Sequence, residues 1–417
     1  MAELKPLKAL HYDPAVAGDL ADLVAPPYDV IDADQREALV ARSPFNVVGI
    51  DLPLGDDRYT DAAALLEHWK SEGVLTTDSD DALWALTQDY TGPDGDARTR
   101  RGFFARVRVT EYGPGRIRPH ERTHPGPKED RLRLTRATQA NLSPIFSLYS
   151  DPDNLAWTAL EPHTTGAPWG EVTDADGTLH RIWRVADPDA VAKATEALAD
   201  TELLIADGHH RYETARVYAE EIGGEGPHRY VLMCLVALED PGLTVFPTHR
   251  LVRGLDSARQ EALGQAIKDD FEIARVTRDE IAPPPGGGPL ELGYIDSHFR
   301  QPYRLTLKSQ EIADAALPEM SDAYRRLDVG VLEALLLKRA LGLTDDDISH
   351  LNGFGYARDV DQALDLIDSK AYDAAFLVRP TPVEQVREIA ATGQNMPPKS
   401  TYFFPKVLTG LVFNPLA

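Results

Sequence analysis

Apolar and polar positions alternate over residues 83–89 and again over 102–109, and Gly92-Pro93-Asp94-Gly95-Asp96 lies between them, so the pattern predicts a β-hairpin. Short apolar runs at 145–149, 181–185, 203–206, 230–238, 243–246, 290–294 and 374–378 have the length and bounds of buried strands. Helical spacing of apolar residues marks 34–42, 60–72, 188–199, 212–222, 329–341 and 382–391. A polar connector, 116–139, leads into a helix expected over 131–140, with Asp130 placed to cap it. Strands and helices mixed in this order predict an α/β (α+β mixed) protein built on a mixed-sheet core. Three regions are expected: an N-terminal α/β region, 1–110; a central α/β region, 111–282; and a C-terminal α/β region, 283–417, closing on the site of the central one. The run Pro283-Pro284-Pro285-Gly286-Gly287-Gly288 opens the last region as a linker or as a loop inside a domain.

Composition narrows the function classes. With 43 Lys and Arg against 67 Asp and Glu, the net charge is −24, which repels nucleic acid and anionic membrane. Cys234 is the single cysteine and sits in an apolar run, so an intrachain disulfide is excluded and a cysteine zinc site is not expected. Residues 1–10 lack the apolar core of a signal peptide, and no stretch reaches the ~20 apolar residues of a membrane span. A cytoplasmic, bacterial protein is expected, and the sequence allows a homodimer.

The candidate chemistry begins at Asp207-Gly208-His209-His210-Arg211. A strand that turns at glycine into a helix aims backbone N–H groups and a positive dipole end at one point, beside two imidazoles and a guanidinium. That is a site for an anion, with Asp207 as an acid-base group or a Mg²⁺ ligand. His120 and Glu121 can act as acid or base, with Glu121 the preferred general base, and Lys128 and Arg131 can hold phosphoryl oxygens. His249 and Arg250 are expected just past a strand end, where loops of α/β sheets build sites. Lys399, Ser400 and Thr401 combine a cation with two hydroxyls between stiffening prolines. In Ala25-Pro26-Pro27-Tyr28-Asp29-Val30, Asp29 can line a pocket.

The quintet Asp207–Arg211 with Tyr212-Glu213-Thr214-Ala215, together with Ala25-Pro26-Pro27-Tyr28-Asp29-Val30-Ile31, Pro247-Thr248-His249-Arg250 and Met396-Pro397-Pro398-Lys399-Ser400-Thr401, resembles the bacterial and archaeal family called domain of unknown function 1015. The Asp-Gly-His-His-Arg turn alone is similar to that of the ParB/sulfiredoxin-like superfamily, which includes free-serine kinases and proteins that bind CTP or ATP. That resemblance implies that Asp207, His209, His210 and Arg211 handle a phosphoryl group and that a separate Glu, matched here to Glu121, serves as base. The function expected is transfer of a phosphoryl group to a small hydroxylated metabolite, with serine or phosphoserine the best single guess, from ATP, ADP or pyrophosphate. Hydrolysis of phosphoserine is the same chemistry with water as acceptor. In this scheme Glu121, Asp207, His209 and His210 are catalytic, and His120, Lys128, Gly208, Arg211, His249, Arg250, Lys399, Ser400 and Thr401 bind substrate or phosphate. Two alternatives stand beside it. One is a ParB-like nucleotide-binding regulator or nucleic-acid-associated protein, which the acidic balance disfavours. The other is a metal-dependent hydrolase using His120, His124, His209 and His210, for which no His-Glu-x-x-His spacing is present.

Overall fold

A computed structural model of the chain describes residues 2–123 and 125–417. It divides into two compact units: Met1–Pro119, Thr123–Thr244 and Pro405–Ala417 form the first, and His120–Arg122 with Val245–Phe404 form the second. The first unit thus takes residues from all three regions expected from the sequence.

The first unit is built on a mixed nine-stranded sheet. Its strands are β1 (Leu4–Lys5), β2 (Leu83–Thr91), β3 (Ala97–Arg108), β4 (Ile117–Arg118), β5 (Ile145–Tyr149), β6 (Gly170–Thr173), β7 (Leu179–Val185), β8 (Leu203–Asp207) and β9 (Tyr230–Ala237). They lie in the order β4-β8-β5-β9-β3-β2-β7-β6, with β1 also paired to β3. The hairpin read from alternation is β2 and β3, in antiparallel register from Trp84 opposite Phe104 to Thr91 opposite Ala97. All eight residues of β9 are buried, which explains its unbroken apolar run: it pairs in parallel with β5 and antiparallel with β3, at the centre of the sheet. Phe103, Trp183 and Met233 of the sheet share one continuous core with the helix residues Trp157 and Tyr212. Over the chain's last residues, Thr409 pairs with Ala25, Phe413 with Leu10 and Asn414 with Asn141, so the C-terminus is stitched into this unit rather than frayed.

The helices of this unit include α1 (Ala33–Arg42), α2 (Arg58–Ser71), α3 (Pro125–Thr138), α4 (Pro188–Ala197) and α5 (His209–Ile222). Asp32 and Gln35 close a capping box on α1, and Asp187 caps α4. Helix α3 begins six residues before the start expected for it, so Asp130 lies inside the helix and does not cap it. Its carboxylate is taken instead by Tyr59 Oη at 2.8 Å and Arg131 Nη2 at 2.6 Å, a tertiary use that a local capping rule cannot see.

The second unit has a six-stranded antiparallel sheet of β10 (His249–Val252), β11 (Phe271–Arg275), β12 (Glu291–Asp296), β13 (Tyr303–Leu307), β14 (Phe354–Ala357) and β15 (Ala374–Leu377). The strand order is β11-β13-β12-β15-β10-β14. The Pro/Gly run 283–288 connects β11 to β12 and is therefore a loop inside this unit. The single helix expected over 329–341 is instead an α-helical turn, Asp328–Leu332, followed by a π-helix, Glu333–Ala340. Lys338 bonds Glu333 at 2.7 Å, and a five-residue separation is the one that i→i+5 winding brings onto a common face.

Among the described residues no helix is long and apolar enough to cross a membrane. Cys234 is fully buried on β9, and burial pushes its thiol up to about 12. The folded protein is accordingly expected to leave Cys234 unreacted with a thiol-specific reagent at pH 8 and to give one thiol per chain in guanidinium; fast labelling of the native protein would contradict this packing.

Candidate functional site

In the first unit the Asp207–Arg211 turn is set by an irregularity at the end of β8. Ile205 pairs with Ser147 but Asp207 pairs with Phe146, so the register shifts at Ala206. Bulges of this kind re-aim the following side chain. Gly208 then takes φ 100° and ψ 29°, a left-handed conformation that favours glycine, and α5 starts at His209. Gly208 brings no capping side chain to the helix. A Cβ at this position would meet Arg211 Nε at 3.0 Å and Cζ at 3.1 Å, so the guanidinium lies against the open face of the glycine.

Arg211 is the hub of the turn. One of its terminal nitrogens donates to the Pro144 carbonyl, the other lies 3.3 Å from Asp207 Oδ2, and its Nε is buried with no partner among the described residues. Burial opposes its charge, but Asp207, Asp29, Tyr28 and Asp51 around it hold its pKa above the ordinary arginine value. Asp29, read from the sequence as able to line a pocket, thus acts on Arg211 through its charge. Lys406 Nζ approaches the same Asp207 oxygen at 3.6 Å. His209 is buried and His210 half-buried on the first turn of α5.

A cavity of about 40 Å³ adjoins Arg211, room for one or two waters or a very small anion. Its polar lining includes Tyr28, Asp51, Arg131 and Ser143. Arg131 stacks over the Tyr28 ring at 4.3 Å, donates to the Asp51 carbonyl at 2.6 Å and lies 3.3 Å from Asp51 Oδ1. Ser143 Oγ donates to Asp51 Oδ2 at 3.0 Å. Burial raises the Asp51 pKa, against the pull of Arg131 and Ser143, and burial likewise pushes Tyr28 up to about 12. Lys128 is half-buried on α3, and its carbonyl accepts a long bond from Thr214 of α5 at 3.4 Å.

The second unit gathers a different subset of the residues read from the sequence. His120 is buried, with Nε2 2.9 Å from Thr401 Oγ1 and its carbonyl accepting from the Met396 amide at 2.8 Å. Arg250 is buried and donates to the carbonyls of Thr248, Lys399 (3.1 Å) and Pro398 (3.0 Å). Burial lowers its pKa, with Tyr356, Glu333 and Glu121 opposing. Lys399 is exposed at φ 56°, and Ser400 is buried with Oγ donating to the Pro397 carbonyl at 2.5 Å. His249 and Arg250 are not in a loop as expected: both belong to β10, and successive strand residues face opposite sides. His249 Nδ1 accepts from the Val378 amide at 3.2 Å, which places the proton on Nε2, a buried atom without a partner among the described residues. His124 lies outside the described residues.

The donor set does not form a metal cage. Among the described residues no three His, Cys, Asp or Glu side chains cluster as a metal site would require, and the Asp207 carboxylate already faces Arg211 and Lys406. Asp51, Ser143 and Lys406 were not assigned to the site from sequence. Asp51 ends the apolar stretch Val47-Val48-Gly49-Ile50, a signal that could have drawn attention to it.

A family model described as a protein of unknown function, DUF1015, matches residues 4–330. The chain belongs to the DUF1015 family. No curated protein matches this DUF1015 member. Among solved structures it is similar to a conserved hypothetical protein from Pyrococcus furiosus, at 14% identity and TM-score 0.35 over 71% of this chain and 92% of that one. A free serine kinase in complex with AMP gives 13% identity and TM-score 0.35 over 71% of this chain and 88% of that one. SbnI from Staphylococcus aureus, truncated at its C-terminus, gives 12% and 0.37 over 73% and 85%. Likenesses this distant assign no residue role.

Two outcomes follow from the geometry of the DUF1015 protein. Gly208→Ala is expected to cost ~1–2 kcal/mol from the left-handed backbone alone, seen as a lower urea midpoint at unchanged m-value; an unchanged midpoint would count against the turn described. His249 is lowered from 6.5 to about 4 by burial, with Arg250 adding to the effect. Because the unfolded chain takes up this proton first, stability is whole above pH 6.5 and falls as pH drops towards 4. The loss is at most about 3 kcal/mol, and His249→Gln should make the stability-versus-pH slope shallower by up to one proton in that window.

Proposed function

We propose that this DUF1015 protein is a small-molecule phosphotransferase that binds the phosphoryl donor at the Asp207–Arg211 turn and uses free serine as acceptor. The observation that carries the reading is the buried Arg211 guanidinium, held by a carbonyl and a carboxylate, with its Nε unpartnered among the described residues beside the glycine that opens α5. The resemblance of the Asp-Gly-His-His-Arg turn to that of free-serine kinases supports it.

The chemistry needs little more than position and charge. The serine hydroxyl oxygen bonds to the terminal phosphorus, the bond from that phosphorus to the bridging oxygen breaks, and the hydroxyl proton passes to a carboxylate. Arg211, the α5 amides, His209 and His210 supply the positive field for the phosphoryl oxygens. Lys128, on the neighbouring α3, is a further cation of the first unit. Asp207, read from the sequence as a Mg²⁺ ligand, faces Arg211 and Lys406 instead. Glu121, assigned as base from the sequence, lies in the second unit, and its role is put to the test by substitution alone.

The experiment incubates the full chain with serine and ATP, ADP or pyrophosphate and detects phosphoserine by mass spectrometry, with phosphoserine hydrolysis followed in parallel. Arg211→Gln is expected to lower kcat/KM by ~10²–10³. Glu121→Gln should keep donor binding and lose turnover. No transfer or hydrolysis with any donor, together with no binding of pyrophosphate, would overturn the reading.

A further inference from the structure

We propose that Lys406, outside the Asp-Gly-His-His-Arg motif and beyond the family-matched residues, is the lysine that binds the donor's phosphoryl oxygens, and that Arg100 and Gln88 are positioning residues presenting it. The proposal rests on the phosphotransferase reading above.

Lys406 follows a segment that is fastened from beneath. Arg100, 1% exposed on β3, donates through Nη2 to the Pro405 carbonyl at 2.5 Å and through Nε to Gln88 Oε1 at 2.9 Å. Gln88 Nε2, from β2, donates to the Lys406 carbonyl at 2.9 Å and lies 3.2 Å from His180 Nδ1. Since the amide nitrogen donates, His180 Nδ1 accepts, and its Nε2–H is left to bond Asp174 Oδ2 at 2.8 Å. Two successive backbone carbonyls, 405 and 406, are therefore gripped by one buried network, and the Lys406 ammonium is delivered to Asp207 Oδ2 at 3.6 Å.

Burying a guanidinium is expensive, and this one lies over the Phe146 ring at 4.5 Å with its hydrogen bonds going to amide and backbone oxygens. Its Nη1 is buried without a partner among the described residues, and burial lowers its pKa to about 10. Packing alone would be served better by an apolar side chain. What the charge achieves here is a fixed path for residues 405–406. Asp207 is shared by Arg211 and Lys406, and the looser of the two contacts is that of the lysine. A phosphoryl group carrying up to two negative charges competes with the Asp207 carboxylate for that ammonium, while Arg211 keeps Asp207 in place.

The test titrates the full chain with inorganic pyrophosphate by calorimetry at low salt. Lys406→Gln should weaken binding ~10-fold or more, and Lys406→Arg should stay within about threefold. Gln88→Leu should weaken it comparably, and in the double variant with Lys406→Gln the losses should not add, because Gln88 acts through Lys406. A merely structural Gln88 would add its loss to that of Lys406→Gln. Independently of any variant, pyrophosphate should protect Lys406 of the wild-type chain from amine acylation, read by peptide mass spectrometry. Wild-type affinity in a folded Lys406→Gln variant, or no protection of Lys406, overturns the proposal; if Arg211→Gln still abolishes binding, the phosphotransferase reading survives it. Failure of the wild-type chain to bind pyrophosphate, ADP or ATP removes that reading and this proposal with it.

Discussion

The buried charge of Arg211 is the constraint on which the first unit's site depends. A guanidinium taken out of water costs several kcal/mol unless its charge is compensated, and here the Asp207 carboxylate and the Pro144 carbonyl take its terminal nitrogens with Asp29 and Asp51 nearby, while Nε stays buried with no partner among the described residues. Satisfying it fixes the end of β8, the left-handed glycine and the first turn of α5 at once. Removing Asp207 would take away the carboxylate that Arg211 contacts, a change worth ~3–5 kcal/mol in comparable buried pairs. The turn is therefore rigid for an electrostatic reason as well as a steric one.

A second layer of charge surrounds the first. Arg131 is buried against Tyr28 and clamps Asp51 and Asp130, so helix α3 is tied to the segments that carry Tyr28 and Asp51 through one side chain. Ser143 joins the same carboxylate and contacts Thr409 Oγ1 at 3.0 Å, which brings the C-terminal segment into the network. Segments far apart in sequence, near residues 28, 51, 131, 143, 211 and 409, thus meet around a cavity of about 40 Å³. Local cues singled out Arg131, Arg211 and the segment of Tyr28, but not their meeting with Asp51, Ser143 and Thr409, which depends on how the segments pack.

The second unit holds its own buried polar group, centred on Arg250. Its guanidinium binds carbonyls at 398 and 399, across a turn in which Lys399 adopts a positive φ. His120 and Thr401 join the same segment. The residues read as one phosphate-handling set therefore sort into two local clusters, one in each unit.

Much of the fold was legible in the chain. Strand and helix periodicity located the β2–β3 hairpin, β5, β7, β9 and helices α1, α2 and α4 because burial on one side dictates spacing. The strand–Gly–helix turn at 207–211 was equally plain, since glycine with positive φ between an apolar run and a helical pattern allows few geometries. Two features were decided by tertiary structure. Asp130 became an ion-pair partner rather than a cap because Arg131 and Tyr59 reach it, and Arg250 was drawn into a strand by pairing with β14 and β15. Periodicity reports which side of an element meets the core. Which distant charge meets which carboxylate depends on how the segments pack, and that is how Lys406 came to Asp207.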